Sequence, residues 1–422
     1  MADRSALWHP FTQHALAAPA MNIARAEGAY LYTHDGRVIL DAISSWWVNT
    51  HGHGHPHIVK AIQNQAAVLE QVIFAGFTHE PAETLAKKLL AIAPKRFAHV
   101  FYSDSGSTAV EVAIKMAVGC WHNRGQKRHR IIAMEHAYHG DIFGAMSVGH
   151  RGVFNAPYDP MLFDVRYIPF PARGAEDRTI DALATLLGAE ADTYAAVIVE
   201  PLVLGAGGMK TYRPEVLSEI AARCRHYDVF LIADEVMTGF GRTGTMFACE
   251  QAGVAPDLMC VSKGLTGGFL PMGATFATRE IYDAFYAEDR AKAFFHSSSY
   301  TGNAIACAAA CANLEIWEKE PVLARVHAIA DYHTNALAAF RTRPEVADAR
   351  QSGSIAAIEL NAPDAGYLAS LGPKLNAFYL EHDVLLRTLG NVVYVMPPYC
   401  VTAPELGRVY GLIDESLALL RL

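Results

Sequence analysis

Val229-Phe230-Leu231-Ile232-Ala233-Asp234-Glu235 is an apolar run that ends in carboxylates, and Leu258-Met259-Cys260-Val261-Ser262-Lys263-Gly264 repeats it with a lysine at the end. Both runs are too short for a helix and are bounded by polar residues, so each reads as a buried strand. Working outward, similar runs lie at 130–135, 195–200 and 273–277, with helical periodicity between them at 109–121 and 214–227. That alternation specifies an α/β fold, a large domain with a mostly parallel sheet wrapped by helices. From about residue 300 the texture changes to an Ala-rich helix at 303–319, then a mixed tail with strands near 354–360 and 392–396. This tail reads as a smaller α/β domain. The expected division is 1–50 packing with the small domain, 51–305 as the large domain and 306–422 as the small one.

A chain of 422 residues exceeds one compact core, which agrees with two domains. With 52% apolar and 18% charged residues it has the composition of a globular enzyme. A net charge of −8 gives no electrostatic reason to bind nucleic acid or an anionic membrane. Met1-Ala2-Asp3-Arg4-Ser5 lacks the charged-then-apolar layout of a signal peptide. The seven cysteines are dispersed with no C-x-x-C pair, as suits a reducing compartment, so a cytoplasmic enzyme is expected. His51-Gly52-His53-Gly54-His55-Pro56-His57 resembles a metal-binding run, but its Gly and Pro spacing reads as a turn and no metal is expected.

An isolated strand-end Asp is usually a cap or ion-pair partner, and an isolated Lys is usually solvated. Asp234 and Lys263 together meet two demands of pyridoxal 5'-phosphate, an amine to carry its aldehyde carbon and an acid to keep its pyridine nitrogen protonated. A partly desolvated lysine also becomes a better nucleophile and proton carrier. Ser103-Asp104-Ser105-Gly106-Ser107-Thr108 precedes a helix, where free N–H groups favour phosphate, although the same residues serve as an ordinary cap. His136-Ala137-Tyr138-His139-Gly140 follows a strand and offers a ring, Tyr138, to stack on the pyridine, with a plain strand-end aromatic as the alternative.

Ser105-Gly106-Ser107, Tyr138-His139-Gly140, Glu200-Pro201, the run from Asp234-Glu235-Val236 to Arg242-Thr243-Gly244, and Ser262-Lys263-Gly264 occur in this order. The series resembles the class III aminotransferases over nearly the whole chain. The resemblance implies PLP fold type I, with Lys263, Asp234 and Tyr138 at the reacting centre and Gly106 and Ser107 among the cofactor contacts. It also implies a homodimer with shared active sites, in which Ser297, Ser298 and Ser299 of the second subunit reach the phosphate and substrate. A serine run equally suits a plain linker.

Trp8-His9-Pro10-Phe11-Thr12, Asp41-Ala42-Ile43-Ser44-Ser45-Trp46-Trp47, Gly140-Asp141-Ile142-Phe143-Gly144-Ala145-Met146-Ser147 and Tyr394-Val395-Met396-Pro397-Pro398-Tyr399 narrow the likeness. They resemble the branch of class III that acts in biotin synthesis, aminating 8-amino-7-oxononanoate with S-adenosylmethionine as donor. That likeness puts Trp46, Trp47, Tyr138, Asp141, Lys263, Ser297 and Arg387 at the substrates. Indole faces suit an apolar chain and a sulfonium alike, and the planar fork of Arg387 suits a carboxylate, where position alone equally allows a surface ion pair. The chain departs from the family at Phe11, where tyrosine is usual, at Ser297–Ser298–Ser299, where Gly-Pro-Thr is usual, and after Arg387, where Thr388-Leu389 replaces Pro-Phe. The competing readings are a broader ω-aminotransferase with another amino donor, an aminomutase, and a cofactor-binding protein without activity.

Overall fold

A computed structural model describes residues 6–362 and 366–421; the opening pentapeptide read above for targeting lies outside them. The central sheet has seven strands in the spatial order Phe97–Ser103, Gly273–Thr278, Leu258–Val261, Phe230–Asp234, Tyr194–Val199, Arg130–Met134 and Val165–Ile168. The Gly273–Thr278 strand runs antiparallel to both neighbours, and the pairs from Leu258–Val261 to Val165–Ile168 are parallel. The strands read from the sequence all form, with ends displaced by one residue or none. Phe97–Ser103, an edge strand, escaped the sequence reading because His99 interrupts its apolar residues and its middle four positions are only half-buried.

Strand order is what builds the site. Leu258–Val261, Phe230–Asp234, Tyr194–Val199 and Arg130–Met134 are successive neighbours and parallel, so Lys263, Asp234, Glu200 and Tyr138 leave the same edge of the sheet. Ligands of open α/β sheets bind beyond this carboxyl edge.

Helix Gly106–Asn123 lies against the sheet, burying Val110, Ala113, Ala117 and Trp121. Trp121 stacks on Phe230 at 4.6 Å and donates Nε1–H to Ala195 O at 3.0 Å, which fixes the helix angle. Ser105 caps this helix with a reciprocal box, its Oγ accepting from Thr108 N and its own N–H donating to Thr108 Oγ1.

Strands Val346–Ser352, Ile355–Leu360, Val392–Val395 and Thr388–Leu389 form an antiparallel sheet covered by helix Val322–Phe340, on which helix Ala403–Ser416 packs in turn. A meander of Ile23–Glu27, Tyr30–Thr33 and Val38–Asp41 joins the C-terminal part through a parallel pair with Val384–Leu385. Helix Ala304–Lys319 packs on helices Pro56–Ala66 and Glu80–Ile92, its small alanines permitting close approach on more than one face.

The four histidines of the run at 51–57 have separate partners. His51 meets Asn313, His53 meets Asp41, His55 meets Glu320 and His57 meets Glu315. Burial lowers the His51 imidazole to about 4, opposed by the Asn313 contact, so it stays neutral at neutral pH.

Candidate active site

At the carboxyl edge a cavity of about 180 Å³ is lined by Trp47, Gly106, Ser107, Tyr138, His139, Gly140, Glu200, Asp234 and Lys263, among others. Lys263 is half-buried and has φ 42°, a left-handed conformation uncommon for a lysine and characteristic of strained functional positions. Its ammonium lies 5.0 Å from the Trp47 ring centroid. Burial depresses its pKa, with Asp234 and Glu200 opposing and Arg242 assisting.

Asp234 is buried at the end of its strand. Oδ2 contacts His139 Nδ1 at 2.7 Å and Oδ1 accepts from Val236 N at 3.1 Å. The other ring nitrogen of His139, Nε2, is buried without a partner among the described residues. Glu200 follows its own buried strand as Asp234 does. It accepts from Tyr138 N and from Gly205 N, each at 2.9 Å. Burial pushes Glu200 up to about 7, with His139 opposing and Asp234 adding to the rise.

This carboxyl binds its proton more tightly folded than unfolded, where about 4.5 applies, so its contribution to stability is present below pH 4.5 and lost as pH rises through 7. In cofactor-free protein, Glu200→Gln should therefore flatten the decline of melting temperature between pH 5 and 8. A wild-type slope unchanged in that variant would assign the decline to another group.

The N–H groups of Gly106 and Ser107 point from the first turn of helix Gly106–Asn123, and both residues line the cavity. Ser105 and Thr108 hydroxyls are consumed by the cap, so the capping and phosphate readings of this stretch divide between different residues. Close approach requires glycine at 140, where φ is 131° and an added Cβ would meet Ser107 Oγ at 2.2 Å and Cα at 2.9 Å. Tyr138 donates its hydroxyl to Asp141 Oδ2 at 2.9 Å, and burial with the Asp141 charge raises its phenol. A lysine, a buried carboxylate, a ring and helix N–H groups thus line one cavity, the donor set that pyridoxal phosphate requires.

A second cavity of about 400 Å³ shares Tyr138 and Gly140 and continues past Asp141, His136, His150, Phe154, Asn155, Tyr367 and Leu389. The two tryptophans separate. Trp47 is buried beside Lys263 with Nε1–H donated to Tyr394 OH at 2.9 Å, whereas Trp46 is 41% exposed beneath Arg387, whose guanidinium carbon lies 4.9 Å from its ring. Phe11 packs on Trp46 at 5.5 Å and on Phe154 at 5.9 Å, an apolar wall where a tyrosine would present a hydroxyl. Among the described residues Arg387 makes no ion pair, and its guanidinium faces the Trp46 ring.

Ser297, Ser298 and Ser299 do not line either cavity; Ser298 N donates to Thr301 Oγ1 and Ser299 O accepts from Gln71. The sequence reading left out His139, Glu200 and Arg242 as site residues. Glu200 carried the same signal as Asp234, an apolar strand ending in a carboxylate. Arg242 is buried and donates to Pro397 O at 2.9 Å and Asn49 O at 2.7 Å, tying three distant segments behind Lys263.

The profile of the family Aminotransferase class-III matches residues 12–417. An adenosylmethionine-8-amino-7-oxononanoate aminotransferase of Synechococcus elongatus is 49% identical over 417 residues, covering 97% of this chain and 98% of that protein. One of the same name from Geobacter sulfurreducens is 38% identical, covering 98% and 96%. The crystal structure of the Methanocaldococcus jannaschii protein of that name superposes with a TM-score of 0.94 at 36% identity, covering 99% of this chain and 98% of that one. A PLP-bound amine transaminase from an uncultivated Pseudomonas species superposes with a TM-score of 0.93 at 30% identity, covering 99% of each chain. The chain belongs to the class III aminotransferases and is a pyridoxal-phosphate-dependent enzyme of that family.

Proposed function

We propose that the enzyme transfers the α-amino group of S-adenosylmethionine to 8-amino-7-oxononanoate, forming 7,8-diaminononanoate in biotin synthesis. The observation that carries the reading is the pair of Trp46 and Arg387 beside the apolar ring of Phe11. An apolar keto acid would lie along these rings, with its carboxylate on the Arg387 fork. The indole face also attracts a sulfonium. Relatives that bear the corresponding name match over nearly their whole length, which supports the same assignment.

When the cofactor is bound, Gly106 and Ser107 N–H groups would hold its phosphate, Tyr138 would offer its ring for stacking and Asp234 would keep the pyridine nitrogen protonated, with His139 steadying the carboxylate. When bound, pyridoxal phosphate supplies an electron sink for the bond pair left at the donor α-carbon. Lys263 Nζ, whose charged form burial disfavours, would take the α-proton of the donor. Glu200 fixes Tyr138 through its backbone N–H. Asp141, bonded to the Tyr138 hydroxyl, helps hold the substrate amine. One site serving donor and acceptor in turn gives ping-pong kinetics.

The active unit is a homodimer in the cytoplasm, in which Ser297–Ser298–Ser299 of one protomer completes the phosphate and substrate site of its partner. The position of that loop away from its own Lys263 cavity supports this, and no helix among the described residues is long and apolar enough to cross a membrane. Adding S-adenosylmethionine to purified holoenzyme should bleach the visible cofactor band, and 8-amino-7-oxononanoate should restore it. Bleaching by alanine or lysine but not by S-adenosylmethionine would replace the donor. Product formed without any donor would indicate an aminomutase.

A further inference from the structure

The turn that separates the two tryptophans is built on strained backbone. Ser44, Ser45 and Trp47 have φ of 54°, 59° and 65°, three left-handed residues in four, none of them glycine. Such a run persists only where surrounding groups over-determine it.

Asp41, fully buried at the end of its strand, is one of those groups. Its Oδ1 accepts from Ile43 N at 3.1 Å and its Oδ2 from Ser45 N at 2.6 Å, while His53 Nε2 approaches Oδ2 at 2.9 Å. His53 is itself fixed by a two-bond bridge to Gly28, N–O distances 3.0 and 2.7 Å. From the far side Ser44 Oγ donates to Met396 O and Trp47 Nε1 to Tyr394 OH.

We propose that Asp41, steadied by His53, is a positioning residue that sets Trp46 outward beneath Arg387 and Trp47 inward beside Lys263. It rests on the reading of Trp46 and Arg387 as the substrate wall. A carboxylate is required because two N–H groups converge on it, one per oxygen. An amide has a single acceptor oxygen and would turn its NH2 toward one of those donors. Losing that donor's partner frees the turn to relax toward ordinary φ values, and the two indoles then lose their opposed orientations. Neither Asp41 nor His53 lines the cavity around Lys263, so the contacts offered by Gly106, Ser107, Tyr138 and Asp234 are left in place, and only Trp47 of that lining moves.

The test is Asp41→Asn in holoenzyme. Its near-ultraviolet dichroism should lose the part due to the two ordered indoles while the bound-cofactor band remains. KM for 8-amino-7-oxononanoate should rise about tenfold with kcat within about threefold, because positioning of bound substrate is what changes. In a Trp46→Ala background the same change should raise KM by no more than about twofold, since the indole it acts through is gone. If Asp41→Asn does not fold, His53→Ala should move the same readings in the same direction, and His53→Gln, which restores a donor, should recover them. Unchanged dichroism and KM, or effects of Asp41→Asn and Trp46→Ala that simply multiply, would overturn the proposal. A wild type inactive on 8-amino-7-oxononanoate would remove the substrate assignment alone, and the dichroism would still decide the role of Asp41.

Discussion

Lys263→Ala should lower transamination by about ten-thousand-fold or more, with the folded protein still holding pyridoxal phosphate. Lys263 is the one lysine lining the 180 Å³ cavity, so no neighbouring amine can take its place. Burial also disfavours the charged form of its Nζ, which favours its acting as a proton acceptor. The remaining contacts belong to other residues: helix N–H groups at Gly106 and Ser107, the Asp234 carboxylate and the Tyr138 ring. Binding and reaction should consequently separate. Cofactor should co-elute with the variant on gel filtration, yet borohydride should no longer fix it to the chain. Turnover within tenfold of wild type would remove Lys263 from the mechanism.

Asp234→Asn should cost two to three orders of magnitude, roughly the scale seen when one preorganised electrostatic group is removed from a closed site. Asparagine keeps the shape and one acceptor oxygen, so Val236 N retains its bond. What disappears is the negative charge at the end of the Phe230–Asp234 strand, and with it the means of holding a proton on the pyridine nitrogen. Lys263 also loses the nearest carboxylate that supports its charged form, so its pKa should fall further. The loss should appear in kcat of the donor half-reaction, because the electron sink and not substrate contact is weakened. Activity within about threefold of wild type would show that another group carries this proton.

Most of the fold was legible because it is written in local patterns. The apolar runs ending at Asp234 and Lys263, the cap signal at Ser105 and the Ala-rich helix after Asn303 all depend on neighbours within a few residues. Glu200 was equally legible as an apolar strand ending in a carboxylate, and was passed over because no partner for it was visible. The edge strand Phe97–Ser103 was missed because His99 breaks its apolar run and its middle is only half-buried.

The sequence by itself determined the residue types that do the chemistry and the strand ends that carry them. Tertiary structure decided which of those ends are neighbours. His139 meets Asp234 across 95 positions, and nothing in either segment encodes the sheet order that joins them. It also decided that adjacent Trp46 and Trp47 part company, one to the mouth and one to Lys263, because Asp41 and His53 hold a backbone that local preference disfavours. The same packing left the serine loop at 297–299 away from its own cavity. The physical reason is one of range: propensity and periodicity act over a single turn or pleat, whereas a site assembled from strand ends depends on contacts that only the packed sheet creates.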